Sequence, residues 1–201
     1  EDPVEYTLAG VGQTQVNTRS GYTFASGLRS ILRQDPDIVM VGEIRDSETA
    51  SIAIQASLTG HLVLSTIHTN SAIGAIARLR DMGVESYLLA SSIRVVLAQR
   101  LVRRLCNHCK KPSEENINLL TRFNLSSEKS YYEPSGCQEC SFTGYSGRLA
   151  IAELVEVDET LKQMIHDGAS EKTMNDYAFQ NNQSIQELSL IHISEPTRHE
   201  S

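Results

Sequence analysis

The sequence predicts an α/β fold in which helices cover a parallel sheet. Two apolar runs of strand length, at 38–41 and 62–66, alternate with segments whose apolar residues recur at helical spacing. Strands that alternate with helices along a chain are typical of parallel sheets built from right-handed crossovers. Functional side chains of such sheets lie at the carboxyl ends of the strands, so the residues that follow each run form the candidate site.

The individual elements follow from local patterns. Residues 11–18 alternate apolar and polar, which predicts a strand, and helical spacing over 24–32 ends before Asp35-Pro36. The continuous apolar run at 38–41 predicts a strand buried on both faces. We further expect helices that begin at Ser47 and at Asn70 or Ser71, a long helix over 87–105, a strand at 148–157, and helices at 159–167 and 171–180 separated by Gly168, the second capped by Ser170.

Composition excludes several classes of protein. The chain has 201 residues, 40% hydrophobic and 21% charged, which suits one domain with small appendages. These proportions exclude a collagen-like or disordered chain, and no apolar run reaches the length of about 18 residues that a transmembrane helix needs. The opening residues also lack the pattern of a secretory signal. A net charge of −7 disfavours nucleic acid as a partner. We therefore expect a cytoplasmic protein.

Polar and charged side chains flank both apolar runs. Glu43 follows the first run, at the position where nucleotide hydrolases hold a carboxylate beside Mg²⁺ and the attacking water. A carboxylate that caps the next helix is the alternative for Glu43. His61 and His68 bracket the second run, and for both a structural histidine is the alternative. The HExxH motif of zinc hydrolases does not occur.

The chain opens with the acidic segment EDPVE, which contains Glu1 and Glu5. Concentrated negative charge is tolerated where a divalent ion or an activated water uses it. A solvated acidic loop is the alternative interpretation of this segment.

Four cysteines form two CxxC pairs, Cys106 with Cys109 and Cys137 with Cys140. Two-residue spacing lets both thiolates of a pair bind one ion, and four thiolates favour tetrahedral Zn²⁺ without an open coordination position. The sequence therefore predicts a structural zinc site. Two disulfides or free thiols are the alternatives, and a reducing compartment disfavours the disulfides.

Several ordered motifs give the chain a specific resemblance. The segments EDPVEY, GLRSILRQDPDIVMVGEIRD, IQASLTGHLVLSTIHTN and RLRDMGV resemble those of the secretion ATPases of type II secretion and type IV pilus systems, over almost all of residues 1–187. The run GYSGRLAIAELVEVDETLKQMIHDGASE favours type II secretion, with pilus assembly as the alternative. The resemblance implies part of a RecA-like P-loop ATPase core, which hydrolyses ATP in a homo-hexamer.

The resemblance also implies roles for individual residues. EDPVE resembles the family's aspartate box, where Glu5 matches the carboxylate that activates the water and Glu1 matches an acidic partner near the metal. DIVMVGE resembles the Walker B motif, with Glu43 as its functional carboxylate. GHLVLSTIHT resembles the histidine box, which places His61 and His68 near the γ-phosphate and a subunit boundary. The candidate catalytic residues are therefore Glu5, Glu43 and His68, and Glu1, His61 and Arg45 are candidates close to the nucleotide and Mg²⁺.

The motifs predict the domain organisation. Residues 1–105 form the partial ATPase core, 106–147 an inserted tetracysteine zinc module, and 148–187 a small helical C-terminal part. Residues 188–201 resemble a translated sequencing adaptor, which we treat as a non-native tail. The phosphate-binding loop GxxxxGK[ST] does not occur, so we expect a fragment that is inactive by itself.

The resemblance implies ATP, Mg²⁺ and Zn²⁺ as ligands, and proteins of the inner-membrane secretion platform as partners. It implies a cytoplasmic location peripheral to that membrane. Arg29, Arg33 and Arg45 are expected to form structural ion pairs. A non-enzymatic, zinc-stabilised interaction module is the alternative of another class. Convergence of Glu5, Glu43 and His68 on one space would disfavour it.

Overall fold

The computed structural model describes residues 1–112 and 132–180, together with residues 185 and 188. The chain divides into two compact units, the first comprising Glu1–Val96 and Val155–Ala178 and the second Leu97–Leu154 and Phe179–Ser201. The predicted boundaries after residues 105 and 147 both fall inside the second unit, and the predicted tail lies outside the described residues except for residue 188.

The first unit is a mixture of helices and strands, as the sequence predicts. Its elements are β1 (Ile38–Val41), β2 (Leu62–Ser65), α1 (Phe24–Leu32), α2 (Ser47–Leu58), α3 (Ala72–Asp81), α4 (Ser86–Ser92), α5 (Glu159–His166) and α6 (Glu171–Ala178).

The strands β1 and β2 pair in parallel, with Val41 opposite Ser65. Val39 and Val41 are buried, whereas Ile38 and Met40 are 61% and 63% exposed. The prediction that this strand is buried on both faces is therefore wrong for the described residues. Successive side chains of a strand point to opposite faces, so the alternation of exposure along β1 shows that only one of its faces is covered among the described residues.

Side chains at the helix starts satisfy free backbone amides. The cap of α2 is Asp46 and not the predicted Ser47. Its carboxylate accepts hydrogen bonds from the backbone N–H of Thr49 at 2.8 Å and from the Thr49 hydroxyl at 3.0 Å. The start of α3 matches one of the two predicted caps, since the hydroxyl of Ser71 accepts a hydrogen bond from the N–H of Gly74 at 3.0 Å.

The last two helices of the first unit pack on α3 and α4. α5 lies against α4, and α6 lies against α3. Gly168 separates α5 from α6 with a φ of 69°, and Ser170 caps α6 by accepting a hydrogen bond from the N–H of Thr173 at 3.1 Å, both as predicted. The largest fully buried apolar side chains of the unit are Ile73, Ile76, Leu89, Leu161, Ile165 and Met174.

The predicted long helix over 87–105 is wrong. α4 ends at Ser92, and the chain continues as the strand β3 (Val95–Leu105). Ile93 already has extended backbone, with ψ of 129°. The β-branched residues Val95 and Val96 follow, and these favour strand over helix because their χ1 freedom is restricted in a helix.

The predicted strand at 11–18 is also wrong. Its last part holds a single bridge between Asn17 and Tyr22 and a short turn of 3-10 helix at Thr18–Ser20. The backbone of this segment contacts the opening residues, where the N–H of Val16 donates to the carbonyl of Glu1 at 2.9 Å. Alternation of apolar residues forms a strand only where a neighbouring strand is available, and no such neighbour occurs among the described residues.

The described part of the second unit contains two-stranded sheets. β3 pairs with β6 (Tyr145–Glu156), which covers most of the predicted strand at 148–157. β4 (Lys111–Pro112) and β5 (Tyr132–Glu133) form a small antiparallel pair. Within the described parts of the chain, no helix has the length and apolar character to cross a membrane.

Candidate functional site

The carboxyl ends of β1 and β2 bring Glu43 and His68 together. The imidazole Nε2 of His68 lies 3.3 Å from the carboxylate Oε2 of Glu43, and the guanidinium of Arg45 is in ion-pair contact with the same oxygen. The Glu43 side chain is only 12% exposed, whereas that of His68 is 88% exposed. Two of the three predicted catalytic residues therefore meet where parallel sheets place functional groups.

The carboxylate of Glu43 is shielded from water. Its Oε2 atom is buried and makes no hydrogen bond of regular geometry with any described residue, although it lies beside Arg45 and His68. Burial of a carboxylate costs free energy, which adjacent positive charge offsets. A carboxylate is also a group that can accept hydrogen bonds or bind a divalent cation.

Direct hydrogen bonds tie the two loops that carry Glu43 and His68. The hydroxyl of Thr66 donates to the carbonyl of Gly42 at 2.6 Å, and the N–H of Ile44 donates to the carbonyl of Thr66 at 2.9 Å. Thr66 was not among the predicted site residues. The signal that could have identified it is a hydroxyl side chain directly after the second strand.

Gly42 permits a close approach of the opening segment. A Cβ atom at this position would lie 3.3 Å from the Cα atom of Glu1, closer than most carbon contacts. The carboxylate of Glu1 accepts a hydrogen bond from the side-chain amide of Gln13 at 3.2 Å. The backbone of Glu1 therefore lies next to the residue that precedes Glu43.

Two other candidates make no contact with this pair. Glu5 is exposed and forms no ion pair or hydrogen bond with any residue in the described ranges. His61 lies at the amino end of β2, where its Nδ1 atom is 3.0 Å from the carbonyl of Ala56. The whole strand separates His61 from His68. The roles predicted for Glu5 and His61 stay predictions.

Two of the three arginines that the sequence assigns to ion pairs are found in such pairs. Arg29 Nη2 lies 2.8 Å from Glu48 Oε1 on the surface, and Arg45 contacts Glu43. Arg33 lines a cavity of about 600 Å³ with Arg29 and residues of α2. Exposed ion pairs contribute little to stability, so the contact between Arg29 and Glu48 orients side chains more than it holds the fold.

The four cysteines form one cluster in the second unit. Their Sγ atoms all lie within 4.8 Å of one another, and the Sγ–Sγ distance is 3.9 Å for Cys106 and Cys137 and 3.8 Å for Cys109 and Cys140. A tetrahedral zinc ion with Zn–S bonds of about 2.3 Å requires Sγ–Sγ distances of about 3.8 Å. Disulfide bonds of about 2.05 Å are excluded, because all four thiols are free.

Backbone amides stabilise negative charge in this cluster. Burial opposes ionisation of Cys140, but the N–H groups of Cys137 and Gly144, which each donate to its Sγ at 3.2 Å, together with the thiols of Cys137 and Cys109 lower the pKa of Cys140 to about 6. The pKa of Cys137 is raised to about 11. Metal-bound cysteine is a thiolate, so such donors suit a metal ligand. Among the described residues the geometry and the donor set fit a closed tetrahedral ion.

Fold and site together define a class, the α/β proteins that place an acidic residue and a histidine at the ends of neighbouring parallel strands. The family model described as "Type II/IV secretion system protein" matches residues 1–197. The chain belongs to this family.

Curated relatives agree with the family. The type II secretion system protein E of Klebsiella pneumoniae is 58% identical over 174 residues, which are 87% of this chain and 35% of that protein. The type II secretion system ATPase E of Vibrio cholerae is 53% identical over 192 residues, which are 94% of this chain and 38% of that protein. The chain therefore spans little more than a third of the length of these relatives.

Solved structures support the fold. The pilus retraction motor PilT with bound ADP matches with a TM-score of 0.60 and 23% identity, over 98% of this chain and 52% of that one. The ATPase DotB of Legionella pneumophila matches with a TM-score of 0.55 and 22% identity, over 85% of this chain and 38% of that one. The likeness confirms the predicted α/β fold of the ATPase type.

Proposed function

We propose that this chain is part of a longer ATPase that hydrolyses ATP to drive type II protein secretion. The observation that carries the proposal is the shielded carboxylate of Glu43, which lies beside His68 at the carboxyl ends of β1 and β2. Water attack on the γ-phosphorus needs a group that orients the water and positive charge that stabilises the phosphoryl oxygens. Glu43 supplies the orienting group, Arg45 stands close enough to supply part of the positive charge, and the exposed imidazole of His68 can hydrogen-bond a phosphoryl oxygen.

Glu43 is the residue that would bind Mg²⁺, directly or through water, because it is a carboxylate at the carboxyl ends of the strands and carboxylate oxygens are ligands that Mg²⁺ prefers. When bound, the ion neutralises phosphate charge. In the proposed mechanism, Glu43 accepts a hydrogen bond from the attacking water and fixes its direction. His68 contacts the γ-phosphate from the exposed side, where its imidazole is open to a ligand.

Roles for the other candidates are proposed from the family resemblance. Glu1 serves as the acidic partner near the metal, which its contact with Gly42 supports. Glu5 serves as a further carboxylate near the water, and its exposed position leaves it accessible. His61 lies at a boundary with a neighbouring subunit, because it is at the opposite end of β2 from Glu43.

We propose further that Cys106, Cys109, Cys137 and Cys140 bind one structural zinc ion, which the Sγ–Sγ distances support. The complete protein acts as a homo-hexamer at the cytoplasmic face of the inner membrane and engages proteins of the secretion platform there. Type II secretion is favoured over pilus assembly because the relatives with 53% and 58% identity bear type II secretion names.

The decisive experiment compares two carboxamide variants in the full-length protein. We expect Glu43→Gln to lower kcat for ATP hydrolysis by at least about 100-fold, because the neutral amide is a weaker hydrogen-bond acceptor for the water and a poorer ligand for Mg²⁺ than a carboxylate, while the Kd for ATP changes less than about threefold. Glu85→Gln is the matched control, since Glu85 precedes α4 without a side-chain cap. Near-wild-type hydrolysis by Glu43→Gln contradicts the proposal.

A further inference from the structure

The carboxylate of Glu171, at the start of α6, lies against the start of α3. The hydroxyl of Ser71 donates to Oε1 of Glu171 over 3.4 Å and accepts a hydrogen bond from the N–H of Gly74 at 3.0 Å. α3 has no acidic residue in its own first turn. Glu171 therefore supplies, from another helix, the negative charge that the positive end of α3 favours.

Gly74 leaves the space that this approach requires. A Cβ atom at position 74 would lie 2.8 Å from the Ser71 hydroxyl oxygen and 3.3 Å from Oε1 of Glu171. Glycine inside a helix is less stable than alanine. Gly74 thus lowers the helix propensity of α3, but its lack of a side chain leaves room for the Ser71 hydroxyl and for Oε1 of Glu171.

A second hydrogen bond ties the same segment to the other end of α3. The guanidinium Nη1 of Arg80 donates to the carbonyl of Ala169 at 3.1 Å. Met174 of α6 and Ile73 of α3 are both fully buried, and the two helices pack together. The segment from Ala169 to Glu171 is therefore attached to both ends of α3.

The loop of residues 66–70, called the His68 loop below, connects β2 to α3. Its upstream end is fixed by the hydrogen bond from Thr66 to Gly42, at 2.6 Å. At its downstream end the hydroxyl of Thr69 donates to the carbonyl of Ser71 at 3.0 Å. Because the His68 side chain is 88% exposed, packing contributes little to its position. The two ends of the loop therefore contribute to where the imidazole lies, together with its contact with Glu43.

We infer that Glu171 is a positioning residue for the site at Glu43. Through Ser71 it fixes the downstream end of the His68 loop, and this keeps the imidazole of His68 beside the Glu43 carboxylate. α6 is then part of the machinery that sets the geometry of the site, because a shift of α6 along α3 changes the anchor of the loop. The catalytic consequence rests on the proposed ATPase function, whereas the positioning itself does not.

The first test uses the 201-residue chain and needs no activity. In amide NMR spectra we expect Glu171→Ala to shift the resonances of the His68 loop and to raise hydrogen exchange at the Gly74 amide by about threefold to tenfold. Glu171→Gln retains an acceptor oxygen, so its hydrogen-exchange rate at the Gly74 amide should stay within about twofold of the wild-type rate. The neighbouring control Lys172→Ala should also stay within about twofold. Unchanged His68 loop resonances in Glu171→Ala overturn the inference.

Gly74→Ala provides the same test where Glu171→Ala fails to fold. Alanine improves the intrinsic helix propensity of α3, but its methyl group displaces the Ser71 hydroxyl and the Glu171 carboxylate. We expect the His68 loop resonances to shift in this variant too. A variant whose loop resonances match the wild type overturns the inference.

The second test measures ATP hydrolysis in the full-length protein. We expect Glu171→Ala to lower kcat by about threefold to tenfold with KM within about twofold, and Glu171→Gln to restore most of the rate. A wild-type protein without ATPase activity counts against the proposed function, and the NMR result still decides the positioning role. An active wild type whose kcat is unchanged in Glu171→Ala overturns the catalytic part of the inference.

Discussion

The imidazole of His68 lies beside the carboxylate of Glu43, with 3.3 Å between Nε2 and Oε2. The two residues are far apart in the chain, and neighbouring parallel strands bring them to one edge. The acid is shielded and the imidazole is exposed. This difference means that the histidine can be removed with little effect on the fold.

We therefore expect His68→Ala to separate activity from stability. In the full-length protein, kcat for ATP hydrolysis should fall by about 10-fold to 100-fold. The free energy of unfolding should change by less than about 0.5 kcal/mol, because an exposed side chain contributes little packing. Steady-state kinetics and urea unfolding measure the two effects. His166→Ala, a change at another exposed histidine, which contacts Asp167, is the control and should leave kcat unchanged.

Replacement of Cys137 by serine should abolish metal binding. A serine hydroxyl is a poor zinc ligand at neutral pH, and the three remaining thiolates leave a coordination position open. Elemental analysis should find about one zinc ion per wild-type chain and far less in Cys137→Ser, together with a lower melting temperature. Ser135→Ala, two residues away and exposed, should retain its zinc. Equal zinc content in Cys137→Ser and the wild type would refute the ligand set.

The cap of α2 should contribute measurably to stability. Asp46→Ala removes the acceptor for the N–H and the hydroxyl of Thr49, a residue that is completely buried. We expect a loss of about 2 kcal/mol in the free energy of unfolding, from the missing cap and the unsatisfied hydroxyl. Asp46→Asn keeps an acceptor oxygen and should lose less than about 1 kcal/mol. Equal stability of the alanine variant and the wild type in urea unfolding would show that the cap contributes nothing.

Asp158 should make stability depend on pH in the acid range. The N–H of Leu161 donates to its carboxylate at 2.8 Å and the hydroxyl of Tyr177 donates at 2.6 Å, and these bonds hold the pKa of Asp158 below its usual value. The folded state therefore releases this proton more readily than the unfolded chain, whose aspartate titrates near about pH 3.9. The stabilisation is complete above that pH and disappears as the pH falls through the lowered pKa.

The corresponding measurement compares the wild type with Asp158→Asn in urea between about pH 2 and pH 5, the range that spans the unfolded and the lowered folded pKa. The stability difference between the two proteins should shrink as the pH decreases, since the asparagine does not titrate. Asp176→Asn changes an exposed carboxylate without such hydrogen bonds and should follow the wild-type pH dependence. A constant difference between wild type and Asp158→Asn would rule out this linkage.

The meeting of Glu43 and His68 could be predicted from sequence because it depends on two short apolar strands and on the rule that parallel strands end at one edge. The cysteine cluster could be predicted because the CxxC spacing restricts where the thiols lie.

Other features depend on tertiary context. The apolar residues after Ser92 fit both a helix and a strand, and pairing of β3 with β6 decided the outcome. Asp46 and Ser47 are both good caps, and the buried Thr49 hydroxyl favours Asp46. The exposed position of Glu5 depends on the path of the opening segment. The order of apolar and polar residues does not predict the path of a segment that forms no helix or strand.

The register of β1 and β2 has a consequence for changes in chain length. Val41 stands opposite Ser65, and the short stretch beyond each strand delivers Glu43 and His68. Deletion of one residue within either strand would turn the following side chains to the opposite face, because the strand repeat is two residues. The Glu43 carboxylate and the His68 imidazole would then no longer be in contact, although neither residue had been mutated. Insertions and deletions are therefore expected in the connections distant from this edge and not between Ile38 and Glu43.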